Sequence, residues 1–102
     1  MNLDLTNKTA LVCGASQGLG LASATELALL GANVIAASRN EEKLKIAITQ
    51  LDTSKGQQHT YLAMDLSEPE AVKQTVSAIL ANDKIIHILI NNAGGPPAGA
   101  ND

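Results

Sequence analysis

Hydrophobic positions along the chain fall into two alternating patterns. Thr9–Cys13 (TALVC), Val34–Ser38 (VIAAS), Thr60–Met64 and Ile85–Ile90 are short, mostly apolar runs, and they read as buried strands. The segments between them follow a helical period. Gly18–Leu30 is rich in Ala and Leu. Glu41–Leu51 carries Leu44, Ala47, Ile48 and Leu51 on one helical face, and Ser67–Ala81 does the same with Val72, Val76, Ile79 and Leu80. Ser67 and Glu70 have capping-box spacing, with Pro69 inside the first turn, so the last helix is expected to start at Ser67. His87 reads as an ordinary residue of the fourth strand rather than a ligand.

The resulting order is β-α-β-α-β-α-β, with no internal repeat. Strands that alternate with helices predict a parallel sheet covered on both faces. Right-handed crossovers then give the strand order 3-2-1-4, an α/β doubly wound arrangement of the Rossmann type. Residues 1–102 are expected to form one incomplete dinucleotide-binding domain. The fourth strand lies at an edge of this arrangement, although its isoleucines suit an interior strand.

Composition narrows the function classes. Apolar residues make up 45% of the chain and charged residues 17%, which fits a globular protein rather than a disordered one. The single Tyr leaves no aromatic platform for stacking bases, and a net charge of −3 provides no basic field for nucleic acid or anionic lipid. One Cys excludes an internal disulfide and suits a reducing compartment. No apolar run reaches membrane-spanning length, so a cytoplasmic protein with neither membrane nor nucleic-acid partners is expected. Cys13, His59 and His87 lack metal-ligand spacing.

The chemistry gathers where the first strand meets the first helix, in Cys13-Gly14-Ala15-Ser16-Gln17-Gly18-Leu19-Gly20. Glycines let a backbone turn tightly and approach a pyrophosphate, and the following helix offers N–H groups and the positive end of its dipole. Gly14, Ser16, Gln17, Gly18, Leu19 and Gly20 are therefore candidate cofactor contacts. After the second strand, where a carboxylate would hold a bare ribose, the chain reads Ser38-Arg39. A 2′-phosphate could pair with Arg39 and accept a hydrogen bond from Ser38, which favours NADP(H) over NAD(H).

The G-x-x-x-G-x-G spacing, with Ser38-Arg39, Asp65-Leu66 and Asn91-Asn92-Ala93-Gly94 in that order, resembles the N-terminal part of the short-chain dehydrogenase/reductase family. NNAGGPPAG looks most like members described as 3-oxoacyl-acyl-carrier-protein reductases. The resemblance implies that Asp65 accepts the adenine amino group and Leu66 lines the adenine pocket. It also places Asn92, Ala93 and Gly94 beside the cofactor ribose, with Asn91 tying neighbouring strands together. Two positions depart from the family pattern. Cys13 stands for the usual Thr and reads as structural, and Gln17 stands where NADP-using members often carry a basic residue.

In that family, catalysis is attributed to a Ser, a Tyr and a Lys four residues after the Tyr, helped by an Asn. Here the one tyrosine is Tyr61, and Asp65 follows four residues later. The expectation is therefore a piece of a longer, homo-oligomeric oxidoreductase acting on a small carbonyl or alcohol. This chain would hold the cofactor without catalytic residues, with Gly94-Gly95-Pro96-Pro97 opening a substrate-side loop. Two other readings compete. One is a stand-alone nucleotide-binding or redox-sensing module. The other is an interaction fragment whose edge strand is completed by another copy or a partner.

Overall fold

The computed structural model describes residues 3–65, 67–81 and 85–91. Four parallel strands and three helices alternate: β1 Thr9–Cys13, α1 Gly18–Leu29, β2 Asn33–Ser38, α2 Glu41–Thr49, β3 Thr60–Ala63, α3 Pro69–Ala81 and β4 Ile88–Asn91. The sheet order is β3-β2-β1-β4, as the crossover argument requires. Register aligns Cys13 with Ala37 on one side and with Asn91 on the other, so the C-terminal ends of β1, β2 and β4 lie level. Ligands of doubly wound sheets bind outside these strand ends.

Alternation along β1 and β2 builds two unequal apolar layers. Ala10, Val12, Val34 and Ala36 face a layer completed by Ala24 and Ala28 of α1 and by Leu44 of α2, all almost fully buried. Leu11, Cys13, Ile35 and Ala37 face the other side, where Val72, Val76 and Ile79 of α3 pack while remaining partly accessible. No residue of α3 is fully buried. Among the described residues, no helix is long and apolar enough to cross a membrane.

Boundaries differ from expectation by one residue at the start of β2 and at the ends of β3 and β4, and at four further places for a local reason. The last turn of α1 stops at Leu29, where Gly31 takes φ 105° and its N–H donates to the Ala28 carbonyl. Helix α2 stops at Thr49, because Gln50 and Leu51 donate to Ala47 and Ile48 in tighter i→i+3 bonds. Helix α3 starts at Pro69 rather than Ser67. Both the N–H and the hydroxyl of Ser67 bond Asp65 Oδ1, at 2.9 and 2.6 Å, which holds Ser67 in a turn before the helix.

Strand β4 begins at Ile88, and His87 precedes it instead of lying within it. The His87 N–H donates to the Thr9 carbonyl at 2.9 Å, while its Nδ1 accepts the Thr9 N–H at 3.1 Å. An imidazole thus replaces a backbone carbonyl at the first rung of the β1–β4 ladder. His59 does the same for β2, accepting the Val34 N–H at Nδ1 (3.0 Å), with Nε2 placed 2.7 Å from the Asp52 carbonyl. The neutral tautomer protonated at Nε2 satisfies both His59 contacts.

Candidate functional site at the strand ends

The loop from β1 to α1 is pinned to its neighbour from below. Gly14 and Ala15 both donate to the Ala37 carbonyl of β2, at 2.7 and 3.2 Å. Gly14 takes φ 75°, a conformation that glycine adopts without a side-chain clash. Its carbonyl then lies against Gly20 on the first turn of α1, and a Cβ on Gly20 would be driven into that oxygen. This close approach lets the helix start directly above the strand end.

Gly18 plays a different part. It takes φ 61°, and a Cβ added there would meet no atom within 4 Å. Glycine is favoured there by the positive φ rather than by a packing contact. That terminus is unusually bare. Gln17, the N-cap residue, is extended at φ −164° and ψ 173°, makes no side-chain cap, and no acid follows in the first turn. The first-turn N–H groups keep their partial positive charge for an external anion. Leu19 beside them is 76% exposed, an apolar shelf next to that terminus.

At the end of β2, Ser38 is buried and its hydroxyl donates to Ser16 Oγ at 3.0 Å. The hydroxyl pair ties the two βα loops together, and Ser38 Oγ also accepts from the Asn40 N–H at 3.5 Å. The next residue, Arg39, is exposed. Among the described residues its guanidinium has no hydrogen-bond or ion-pair partner. Asp65 is exposed after β3. The hydroxyl and N–H of Ser67 hold its carboxyl below the usual aspartate range, helped by the charge of Arg39. Both Ser67 bonds fall on Oδ1.

Two residues with intrinsic chemistry are occupied elsewhere. The Tyr61 phenol donates to Glu41 Oε2 at 3.0 Å, and that bond pushes its pKa above the ordinary value. Cys13 is buried beneath the loop, and burial pushes its thiol up as well. Among the described residues no cluster of His, Cys, Asp and Glu could hold a metal. Leu66, Asn92, Ala93 and Gly94 lie outside the described residues.

One contact at the site had no signal in the sequence reading. Lys43, on the first turn of α2, reaches across to Gln17 and donates from Nζ to Oε1 at 2.8 Å. A lone lysine in an exposed E-E-K run looks like a solvated face. Only the adjacency of the two loops makes it part of the site. The residues present suit a phosphate-rich nucleotide: bare helix N–H donors, an apolar shelf, an exposed guanidinium and a carboxylate acceptor.

Known proteins share this sequence pattern and fold. The short chain dehydrogenase family model matches residues 8–102. An uncharacterized oxidoreductase of Schizosaccharomyces pombe is 43% identical over 97 aligned residues, which cover 92% of this chain and 29% of the yeast protein. The crystal structure of L-sorbose reductase from Gluconobacter frateurii, complexed with NADPH and L-sorbose, superposes with a TM-score of 0.79 at 30% identity. It covers 100% of this chain and 40% of that one. A metagenomic short-chain oxidoreductase in complex with NADP superposes with a TM-score of 0.76 at 33% identity, covering 95% of this chain and 46% of its own. The chain thus spans under a third of the yeast relative and under half of the two solved chains. By its sheet order, its glycine loop and these matches, it belongs to the short chain dehydrogenase family.

Proposed function

We propose that this chain provides the cofactor-binding part of an NADP(H)-dependent oxidoreductase, which exchanges hydride between the nicotinamide and a small carbonyl or alcohol. The observation that carries the reading is Arg39. An exposed guanidinium, with no hydrogen bond or ion pair among the described residues, stands where a ribose-binding carboxylate would otherwise lie, directly after the strand whose last residue is tied to the glycine loop. The pyrophosphate would sit over the bare N-terminus of α1, and Asp65 would accept from the adenine amino group. Leu66, Asn92, Ala93 and Gly94 complete the proposed contacts. NADPH and NADP in the two solved relatives support the choice of cofactor.

The reading extends to a 3-oxoacyl-type substrate, supported by the NNAGGPPAG run. The 102 residues by themselves would bind cofactor without turning it over, because Tyr61, the one tyrosine, is bonded to Glu41 and has no lysine four residues on. The test is equilibrium binding of NADPH and NADH to the chain and to Arg39→Ala. Loss of one charge-assisted pair should weaken NADPH by about tenfold and leave NADH little changed. An unaltered preference in Arg39→Ala would sink the cofactor assignment.

A further inference from the structure

The first turn of α2 carries three charged residues in a row, and the structure sorts them by direction. Glu41 accepts from the Tyr61 phenol on the β3 side. Glu42 lies 3.9 Å from Lys45 along the helix. Lys43 points the other way, toward the glycine loop, where its Nζ donates to Gln17 Oε1 at 2.8 Å. Its backbone is fixed too, since the Lys43 N–H is the one that caps onto Asn40 Oδ1 at 3.0 Å. Both carboxylates also line the pocket beside Arg39, so negative charge borders it, while the Lys43 ammonium is held at the glycine loop.

We propose that Lys43 is a second cation of the 2′-phosphate site, held over the glycine loop by Gln17 and acting together with Arg39. The inference rests on the NADP(H) reading above and names a specificity residue within it. A lysine ammonium has three donors, so the bond to Gln17 leaves two for phosphate oxygens. A phosphate monoester carries close to two charges at neutral pH, more than one guanidinium neutralises. The neutral amide of Gln17 matters for the same reason, because it orients the ammonium without cancelling its charge. A carboxylate at that position would cancel it.

The experiment titrates the whole chain with NADPH and with NADH, following nicotinamide fluorescence at low and high salt. Lys43→Met keeps the side-chain stem, and its thermal midpoint checks the fold. NADPH affinity should fall about fivefold in this variant, the size expected for an exposed ion pair, and the loss should shrink at high salt. Gln17→Glu, with Lys43 retained, should lower the ratio of NADPH to NADH affinity in the same direction. An NADPH preference in Lys43→Met equal to that of the unaltered chain overturns the inference. If Arg39→Ala abolishes that preference while both other variants keep it, only this inference fails. If the unaltered chain shows no preference for NADPH, the cofactor reading fails and this one fails with it.

Discussion

Helices α1 and α2 both begin at the same edge of the sheet, each one short loop after a parallel strand, yet their first turns are built in opposite ways. Helix α2 is closed: Asn40 accepts from the Lys43 N–H, and Glu41 and Glu42 complement the helix dipole. Helix α1 has an extended N-cap residue with the backbone shape for a cap, but Gln17 makes no such bond and no acid follows. Helix α2 stabilises itself with its own side chains. Helix α1 leaves the same groups for something outside the chain. The contrast makes the α1 terminus, and not that of α2, the candidate for binding an anion.

The largest effect is expected from Gly20→Ala. A Cβ there runs into the Gly14 carbonyl, which is backbone and cannot move aside cheaply. We expect a loss of about 3 kcal/mol in urea unfolding, accompanied by loss of nucleotide binding. A variant that melts like the parent would show that the close approach of loop and helix is not required.

Next is an exchange of the two termini. Gln17→Asp gives α1 the cap and the charge that α2 already has, and should raise stability by about 1 kcal/mol. The same change should weaken both NADPH and NADH by about tenfold, because the capping carboxylate takes up the first-turn N–H groups that would hold the pyrophosphate. In the opposite direction, Asn40→Ala should lose about 1 kcal/mol by uncapping α2. If Gln17→Asp binds nucleotide as well as the parent does, the bare terminus of α1 is not the anion site.

The smallest effect concerns pH. Asp65 is held below its ordinary value by Ser67, and Asp52 by Ser54 and Gln57. A carboxyl whose folded pKa is depressed contributes stability that is present above its unfolded value, about 3.9, and lost as pH falls through the lower folded value. The urea midpoint should therefore stay level from neutral pH to about 5 and decline modestly below about 4. Both groups are exposed, so a small decline is the expected result. A midpoint that stays level through strongly acidic pH would mean these bonds do not form in solution.

Much of the fold was legible because it depends on local pattern. Four apolar runs separated by helical periods allow few parallel arrangements, and right-handed crossovers select one of them. The loop around Gly14, Gly18 and Gly20 was legible for a similar reason, as glycines between a strand and a helix imply positive φ or close approach. Boundaries were less legible where side chains stand in for backbone. His87 and His59 supply ring nitrogens where a strand ladder would use a carbonyl. Asp65 draws Ser67 away from the capping position that its spacing from Glu70 suggested.

Ser38 shows what folding adds to the site. Its position after β2 suggests contact with a 2′-phosphate, and the structure adds that its buried hydroxyl bonds Ser16 on the glycine loop. Lys43 is the opposite case, unremarkable in an exposed E-E-K run and brought to the site by folding. By itself, then, the sequence determined the order of elements, the parallel sheet and the glycine loop, because these follow from periodicity and from the backbone freedom of single residues. Tertiary structure alone decided which side chains line the site. Gln17 and Lys43 stand on different βα units, and only the pairing of β1 with β2 sets their loops side by side.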